Sequence, residues 1–400
     1  MGLFGSLKGK SAQRDEFAGM LMNYLKMHNE PRPMTYRAGD FALVLGDDQV
    51  ALESHYQRFL AARPKEHDAV MHSIYLDLQP PQPISGYRQV QGLLMPVLRS
   101  RMQSSNRALQ LKAQKIDAGE ELLQPFAGDL AVGLVIDRPT MMQPVVHEDL
   151  ARWQVTAEAA RSAALANLLR VSAPSFEEVD EGIFQSAWAD GYDAPRLLSP
   201  PLFKTLNLPG ETIALTSNAD RVWATGSRNP QTIVKLIELA ADSLLNAGKP
   251  LTPDLLILKE DRWQLWTLAP THPAYGQHRD LVKLWMRDVY EQQQAALQQI
   301  YTDKNRDPYA ASYAVARRDN RVESYTVWTE GIGVPFWLPE TDTIVFVPVD
   351  EEPFHVPRSR VEAVLGPLTA VSGLKAPPRV EVRGFPSKDQ LKAMRSRHEN

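Results

Sequence analysis

The stretch Thr212–Leu245, TIALTSNADRVWATGSRNPQTIVKLIELAADSLL, decides the fold class. Thr212–Thr216 and Arg221–Thr225 are short apolar runs, and the turn formers Ser217–Asp220 between them make the pair a strand–turn–strand unit. From Pro230 to Leu245 the apolar residues return every three or four positions, so the chain switches to a helix. Pro230 suits its first turn, and Gly248 with Pro250 suits its end. The unit then recurs. Strands Leu255–Leu258 and Trp263–Thr267 precede an amphipathic, Gln-rich helix over Arg279–Tyr301. Such an order predicts an α+β fold of antiparallel sheets built from repeated strand-strand-helix units, with the helices packed on one face.

Upstream, Ser11 can cap a helix in which Phe17, Met20, Leu21, Tyr24 and Leu25 form one apolar stripe, ended by Pro31 and Pro33. Thr35–Arg37 and Phe41–Leu45 flank the short loop Ala38-Gly39-Asp40 and read as a hairpin. Val70, Ile74, Tyr75 and Leu78 mark a second helix before the Pro80-Pro81-Gln82-Pro83 linker. Leu93–Ser100 reads as a strand, Leu130–Ile136 with Met141–His147 as a strand pair, and Gln154–Arg170 as an Ala-rich helix. Downstream, strands are expected near Tyr313–Arg317, Val322–Trp328, Thr343–Val347 and Arg379–Val382, with a short helix near Arg358–Leu365. The tail from Ser387 reads as polar and frayed.

The 400 residues carry 44 Lys plus Arg against 48 Asp plus Glu, a formal charge of -4. That balance argues against nucleic-acid binding driven by charge. With no Cys at all, disulfides, thiolate nucleophiles, zinc–thiolate sites and iron–sulfur clusters are excluded. No apolar run approaches membrane-spanning length, and no export signal is legible, so a cytoplasmic protein without integral membrane association is expected. Met1-Gly2-Leu3-Phe4-Gly5-Ser6 matches an acylation pattern, read here as an apolar start that packs locally.

The run Asp190-Gly191-Tyr192-Asp193-Ala194-Pro195-Arg196-Leu197-Leu198, followed by Ile213-Ala214-Leu215, resembles the bacterial YtpQ-like family, as does Met95-Pro96-Val97-Leu98-Arg99-Ser100. The likeness covers residues 11–267, with Leu98 and Pro195 as departures from the family's pattern. It implies a bacterial, cytoplasmic protein of mixed α and β structure, and no activity, because the family has none assigned. The expected organisation is an N-terminal helix over 1–30 and a YtpQ-like region over 31–267, divisible into 31–170 and 171–267. A linking helix over 268–303, an aromatic-rich α+β extension over 304–385 and a polar tail over 386–400 complete it.

Physically, Gly191 permits a backbone angle that a side chain would resist, and Asp193 can cap a helix starting at Ala194 or Pro195. Asp190 and Asp193 can also hold Arg99 or Arg196 as an ion pair, or act as two carboxylates for a metal or a proton transfer. Asp190, Tyr192, Asp193, Arg196 and Arg99 are therefore the candidate polar site, with His147 a further candidate from a separate segment.

Other constellations fail. No two His residues flank a Glu at helical spacing, and no phosphate loop or nucleophile elbow is present. Asp303–Asp307 starts like a calcium loop but lacks its Gly and terminal acid. His147-Glu148-Asp149 reads as a polar turn with a capping acid. Arg317, Arg318 and Arg321 read as solvated surface. Of the eight Trp residues, five cluster at 263–337. Trp285, Trp328, Trp337 and Phe336 form a candidate interaction surface, weighed against packing in a core. The expected function is non-enzymatic: binding of a macromolecular partner, or of a second copy, as an adaptor or scaffold, with no cofactor and no metal. The alternatives are an enzyme or small-ligand binder around the Asp-Gly-Tyr-Asp motif, and a neutralising or chaperone-like partner of a toxin or secreted protein.

Overall fold

The computed structural model describes residues 3–46, 48–79, 86–138, 142–246, 250–303, 305–319 and 321–395. The acylation pattern at Met1 and Gly2, the Pro80–Pro83 linker and the helix end at Gly248 lie outside the described residues. The chain divides into two units, one of Met1–Ser85 with Asp137–Gln143, the other of Gly86–Ile136 with Pro144–Asn400.

The first unit runs α1 (Leu3–Met27), β1 (Met34–Arg37), β2 (Ala42–Leu45), β3 (Asp48–Ala51), α2 (Glu53–Ala61) and α3 (His67–Leu78). The expected hairpin forms, with Tyr36 opposite Leu43, and β3 extends it to an antiparallel three-stranded sheet. Phe17, Leu21 and Leu25 of α1 pack with Leu43, Leu45, Leu52 and Ile74. The helix expected over 1–30 is thus one wall of a core whose other walls are residues 41–78. An apolar stripe cannot stay solvated when a complementary sheet face lies close in sequence.

The second unit begins with α4 (Tyr87–Val90), β4 (Leu94–Ser100), α5 (Arg101–Ala113), β5 (Gln124–Pro125) and β6 (Leu130–Asp137). After β7 (Met142–Pro144), whose first two residues fall in the first unit, it continues with α6 (His147–Trp153), α7 (Ala157–Arg170), β8 (Phe176–Asp180), β9 (Ile183–Ser186), a 3-10 turn at Ala194–Leu198 and α8 (Pro200–Lys204). Next come β10 (Thr212–Asn218), β11 (Arg221–Gly226), α9 (Pro230–Asn246), β12 (Leu255–Lys259), β13 (Arg262–Leu265) and α10 (Tyr275–Ile300). The C-terminal part holds β14 (Tyr309–Ala310), β15 (Ala314–Arg318), β16 (Arg321–Thr329), β17 (Phe336–Pro339), β18 (Thr343–Val347), β19 (Phe354–Pro357), α11 (Arg358–Leu365), β20 (Thr369–Lys375), β21 (Pro378–Val382) and α12 (Lys388–Arg395).

The fold is α+β with several antiparallel sheets, and the two strand-strand-helix units read from the sequence are β10–β11–α9 and β12–β13–α10. They belong to an antiparallel six-stranded sheet ordered β13-β12-β10-β11-β9-β8. Ile213, Leu215 and Trp223 pack with Ile233, Leu236 and Ile237 of α9 and with Leu281, Trp285 and Val289 of α10. In a second cluster Ala214, Val222, Ala224 and Leu256 meet Leu197 of the 3-10 turn and Phe203 of α8. The long helices therefore share one face, and short turns with α8 close the other.

The C-terminal part forms two four-stranded sheets, β14-β17-β21-β20 and β15-β16-β18-β19, each with one parallel pair, β14/β17 and β16/β18. Trp328, Ile344 and Phe346 of one meet Leu338, Val380 and Val382 of the other in a shared core. Two expected boundaries fail. The helix expected as a linker over 268–303 is built into that region and the six-stranded sheet alike. Leu281, Trp285 and Val289 join the α9 core, while Tyr290 Oη donates to Pro378 O at 2.6 Å and Lys283 Nζ to Val322 O at 2.9 Å. The expected polar tail over 386–400 contains α12, whose Leu391 and Met394 are buried in the same C-terminal core. Unanticipated α5, in contrast, buries only Asn106 fully, so apolar periodicity carried no signal of it.

Candidate functional site

The Asp-Gly-Tyr-Asp motif forms the turn between β9 and the 3-10 segment, and its centre is Arg196, which is fully buried. Arg196 Nη1 and Nη2 donate to Asp190 Oδ1 and Oδ2 at 2.7 and 2.6 Å, a bidentate pair. Its Nε donates to Ser172 Oγ at 2.9 Å and Nη2 also to Val171 O at 3.1 Å, while the guanidinium lies 4.5 Å from the Trp188 ring. These contacts close the turn onto the end of α7. Gly191 takes φ +81°, the left-handed region that a side chain resists, and this bend lets Asp190 Oδ1 also accept the Tyr192 N–H at 3.0 Å. The bond from Arg196 holds the Asp190 carboxyl below its ordinary range.

Asp193 is 1% exposed. Burial pushes its carboxyl up, against hydrogen bonds from Ser186 and the Trp188 backbone, and its Oδ2 has no partner among the described residues. It sits at the start of the 3-10 segment yet makes no side-chain cap bond, in αR backbone at φ -62°. The expected Asp193 cap is therefore absent. A capping side chain needs extended backbone to reach back to the following N–H groups. Tyr192 packs with Met95, Val97, Val135 and Leu168.

Arg99 does not join this cluster. Its Nε lies 3.3 Å from Glu121 Oε1, and both side chains are partly exposed. Asp190 and Arg196 thus converge as read, Asp193 lies beside them, and Arg99 belongs to another corner, with Glu121 and His147 lining a separate cleft. Asp149 meets expectation: its Oδ2 accepts the Val146 N–H at 3.1 Å, capping α6.

The four residues expected as an interaction surface are core. Trp285, Trp328, Trp337 and Phe336 are 4, 4, 8 and 4% exposed. Trp285 packs against α9, and Trp328 and Phe336 share the C-terminal core. Trp337 packs with Leu297 and donates to Glu381 Oε2 at 3.1 Å. Their positions in strands and on an apolar helix stripe outweigh their clustering along the chain.

A second polar centre was missed in the sequence. Asp129, 9% exposed, accepts the Ser100 hydroxyl on Oδ2 and the Met102 N–H on Oδ1 at 3.1 Å, so it caps α5 from outside the helix. Its own N–H donates to Asp254 Oδ2 at 2.7 Å, and Gly128 at φ +56° leaves no room for a Cβ beside that carboxylate. Burial, with Asp254 adding repulsion, pushes the Asp129 carboxyl up to about 7. Burial also raises Asp254 and lowers His278, whose Nε2 bonds Pro253 O at 2.9 Å. Residues 125 positions apart meet here, and no local motif announces such a pair.

The structure also gathers basic residues read as ordinary surface. Burial along β16 alternates: Val322, Ser324, Thr326 and Trp328 are buried, whereas Arg321, Glu323, Tyr325 and Val327 are not. Tyr325 and Val327, with Arg317, Arg318, Glu323 and His355, line a groove of about 640 Å³ across β15, β16, β18 and β19. Arg318 has Glu323 at 3.9 Å. Arg317 and His355 have no ion-pair partner among the described residues.

No family model matches the chain, no curated protein matches it, and no solved structure matches it. The likeness to the YtpQ-like family rests on the quoted motifs alone.

Proposed function

We propose that the protein is a non-enzymatic binding protein that engages a macromolecular partner through the C-terminal groove, the partner presenting an extended acidic segment. The observation that carries this reading is the groove itself. Its floor offers Tyr325, Val327 and Val345, and its rim offers Arg317, Arg318 and His355 against one acid, Glu323. Strand β15 is the outer member of its sheet, so a peptide laid beside it finds main-chain partners as well as side-chain pockets. The Asp-Gly-Tyr-Asp motif takes a supporting role, since Arg196 has no exposed surface and engages both Asp190 oxygens.

The test is fluorescence anisotropy of the full chain with extended peptides of matched apolar content, one Glu-rich and one Lys-rich. Expected is binding of the acidic peptide only, weakened by salt, and lost in the double variant Arg317→Glu, Arg318→Glu with an unchanged circular-dichroism spectrum. Equal binding of both peptides, or of neither, would overturn the reading.

A further inference from the structure

A cleft of about 410 Å³ opens between α7 and the sheet of β4 and β6, closed at one end by the 3-10 segment. Pro96, Val132, Leu134, Leu165 and Leu198 make its walls apolar. Its polar groups include Glu158 and Arg161, three residues apart on α7, with Ser162 on the same side. Side chains so spaced lie on one helix face, with roughly 5–6 Å between their Cβ atoms. No ion pair joins Glu158 to Arg161, and neither side chain has a hydrogen-bond or ion-pair partner among the described residues. A site of this volume, largely apolar with two charges of opposite sign at one edge, has the proportions of a small-molecule pocket.

We propose that this cleft binds a small zwitterion with an apolar body, of the class of free apolar α-amino acids. The carboxylate meets the Arg161 guanidinium, which accommodates it in bidentate fashion. The ammonium meets Glu158 one turn away, and the aliphatic or aromatic side chain lies against Leu134, Leu165 and Leu198. A simple anion would leave Glu158 repelling it, and a simple cation would do the same with Arg161, so a zwitterion suits the pair. The Asp-Gly-Tyr-Asp turn acquires a purpose here: Arg196, anchored to Asp190 and to the end of α7, holds Leu198 where it forms a wall. This site is independent of the C-terminal groove, and either can fail without the other.

Isothermal titration of the full chain with L-leucine and L-phenylalanine tests it. The controls are 4-methylpentanoate, which is leucine without its amine, and isopentylamine, which is leucine without its carboxylate. Expected is binding of the amino acids, with about tenfold or greater weakening for either truncated ligand. Arg161→Ala should weaken leucine to a similar extent and remove the preference for leucine over isopentylamine. Glu158→Gln should remove the preference over 4-methylpentanoate. Both positions are on the helix surface, so the fold tolerates the changes, and unaltered thermal unfolding confirms it. Absence of binding at millimolar amino acid, equal binding of a truncated ligand, or undiminished binding to Arg161→Ala would overturn the proposal.

Discussion

Replacing Asp129 with Asn should remove a specific part of the protein's pH dependence. In the folded chain this carboxyl lies between Ser100 and Met102 with Asp254 alongside, and its pKa stands at about 7 against the ordinary 3.8. Folding therefore favours the protonated acid. Its contribution is fully present below about pH 4 and is lost as pH rises through about 7. At 1.36 kcal/mol per tenfold change in acidity, the full span is about 4 kcal/mol, of which about 3 kcal/mol falls between pH 4.5 and 8. Asn keeps an acceptor for the Met102 N–H and carries no charge. Urea unfolding of both proteins at the two pH values is the assay. At pH 4.5 the variant should be equal to or less stable than the native chain, through the altered Ser100 bond. At pH 8 it should have gained about 3 kcal/mol relative to the native chain. Stability curves that run parallel across this range would show that Asp129 does not titrate with folding, and would refute the reasoning.

Breaking the half-exposed pair at the motif by Asp190→Asn or Arg196→Met should differ in outcome, since Arg196 is buried and Asp190 is 37% exposed. Asp190→Asn leaves a buried cation without its carboxylate and should cost about 1–3 kcal/mol in denaturant unfolding, whereas Arg196→Met, which removes the charge with it, should cost less. Trp337→Ala should lower stability by about 3–5 kcal/mol, as a cavity in a packed core does; a loss below about 1 kcal/mol would return Trp337 to the surface. Gly128→Ala should destabilise, because the residue sits at φ +56° and the added carbon meets the Asp254 carboxylate. Amide exchange offers the check on α12: protection across 388–395 is expected from the burial of Leu391 and Met394, and exchange at random-coil rates would return this segment to the status of a frayed tail.

How much was legible in the chain varies with the range of the physics involved. Strand-strand-helix order at 212–301, the α1 stripe, the β1–β2 hairpin and the α11 segment are written in periodicities and turn residues a few positions apart, and these elements form as read. The Asp190–Arg196 pair was legible too, since six residues and one Gly at positive φ bring its ends together. The α5 helix was not, because it presents almost no buried apolar stripe. Nor was α12, where Leu391, Ala393 and Met394 stand among Lys, Asp, Gln and Arg.

Long-range packing decided the rest. Whether a cluster of Trp residues faces solvent depends on which strands and helices cover it, and covering elements come from 40 to 90 residues away, as with Trp337 beside Glu381 and Tyr290 bonded to Pro378. Asp129 acquires its raised pKa from burial and from Asp254, against the bond from Ser100, and Arg99 spends its charge on Glu121 in place of the motif. The chain by itself determined the α+β class and the local turns, because backbone preference and apolar periodicity act between near neighbours. Tertiary structure alone decided which polar groups are sealed, which are paired and which line open clefts, because burial and electrostatic environment are properties of surfaces brought together from distant segments.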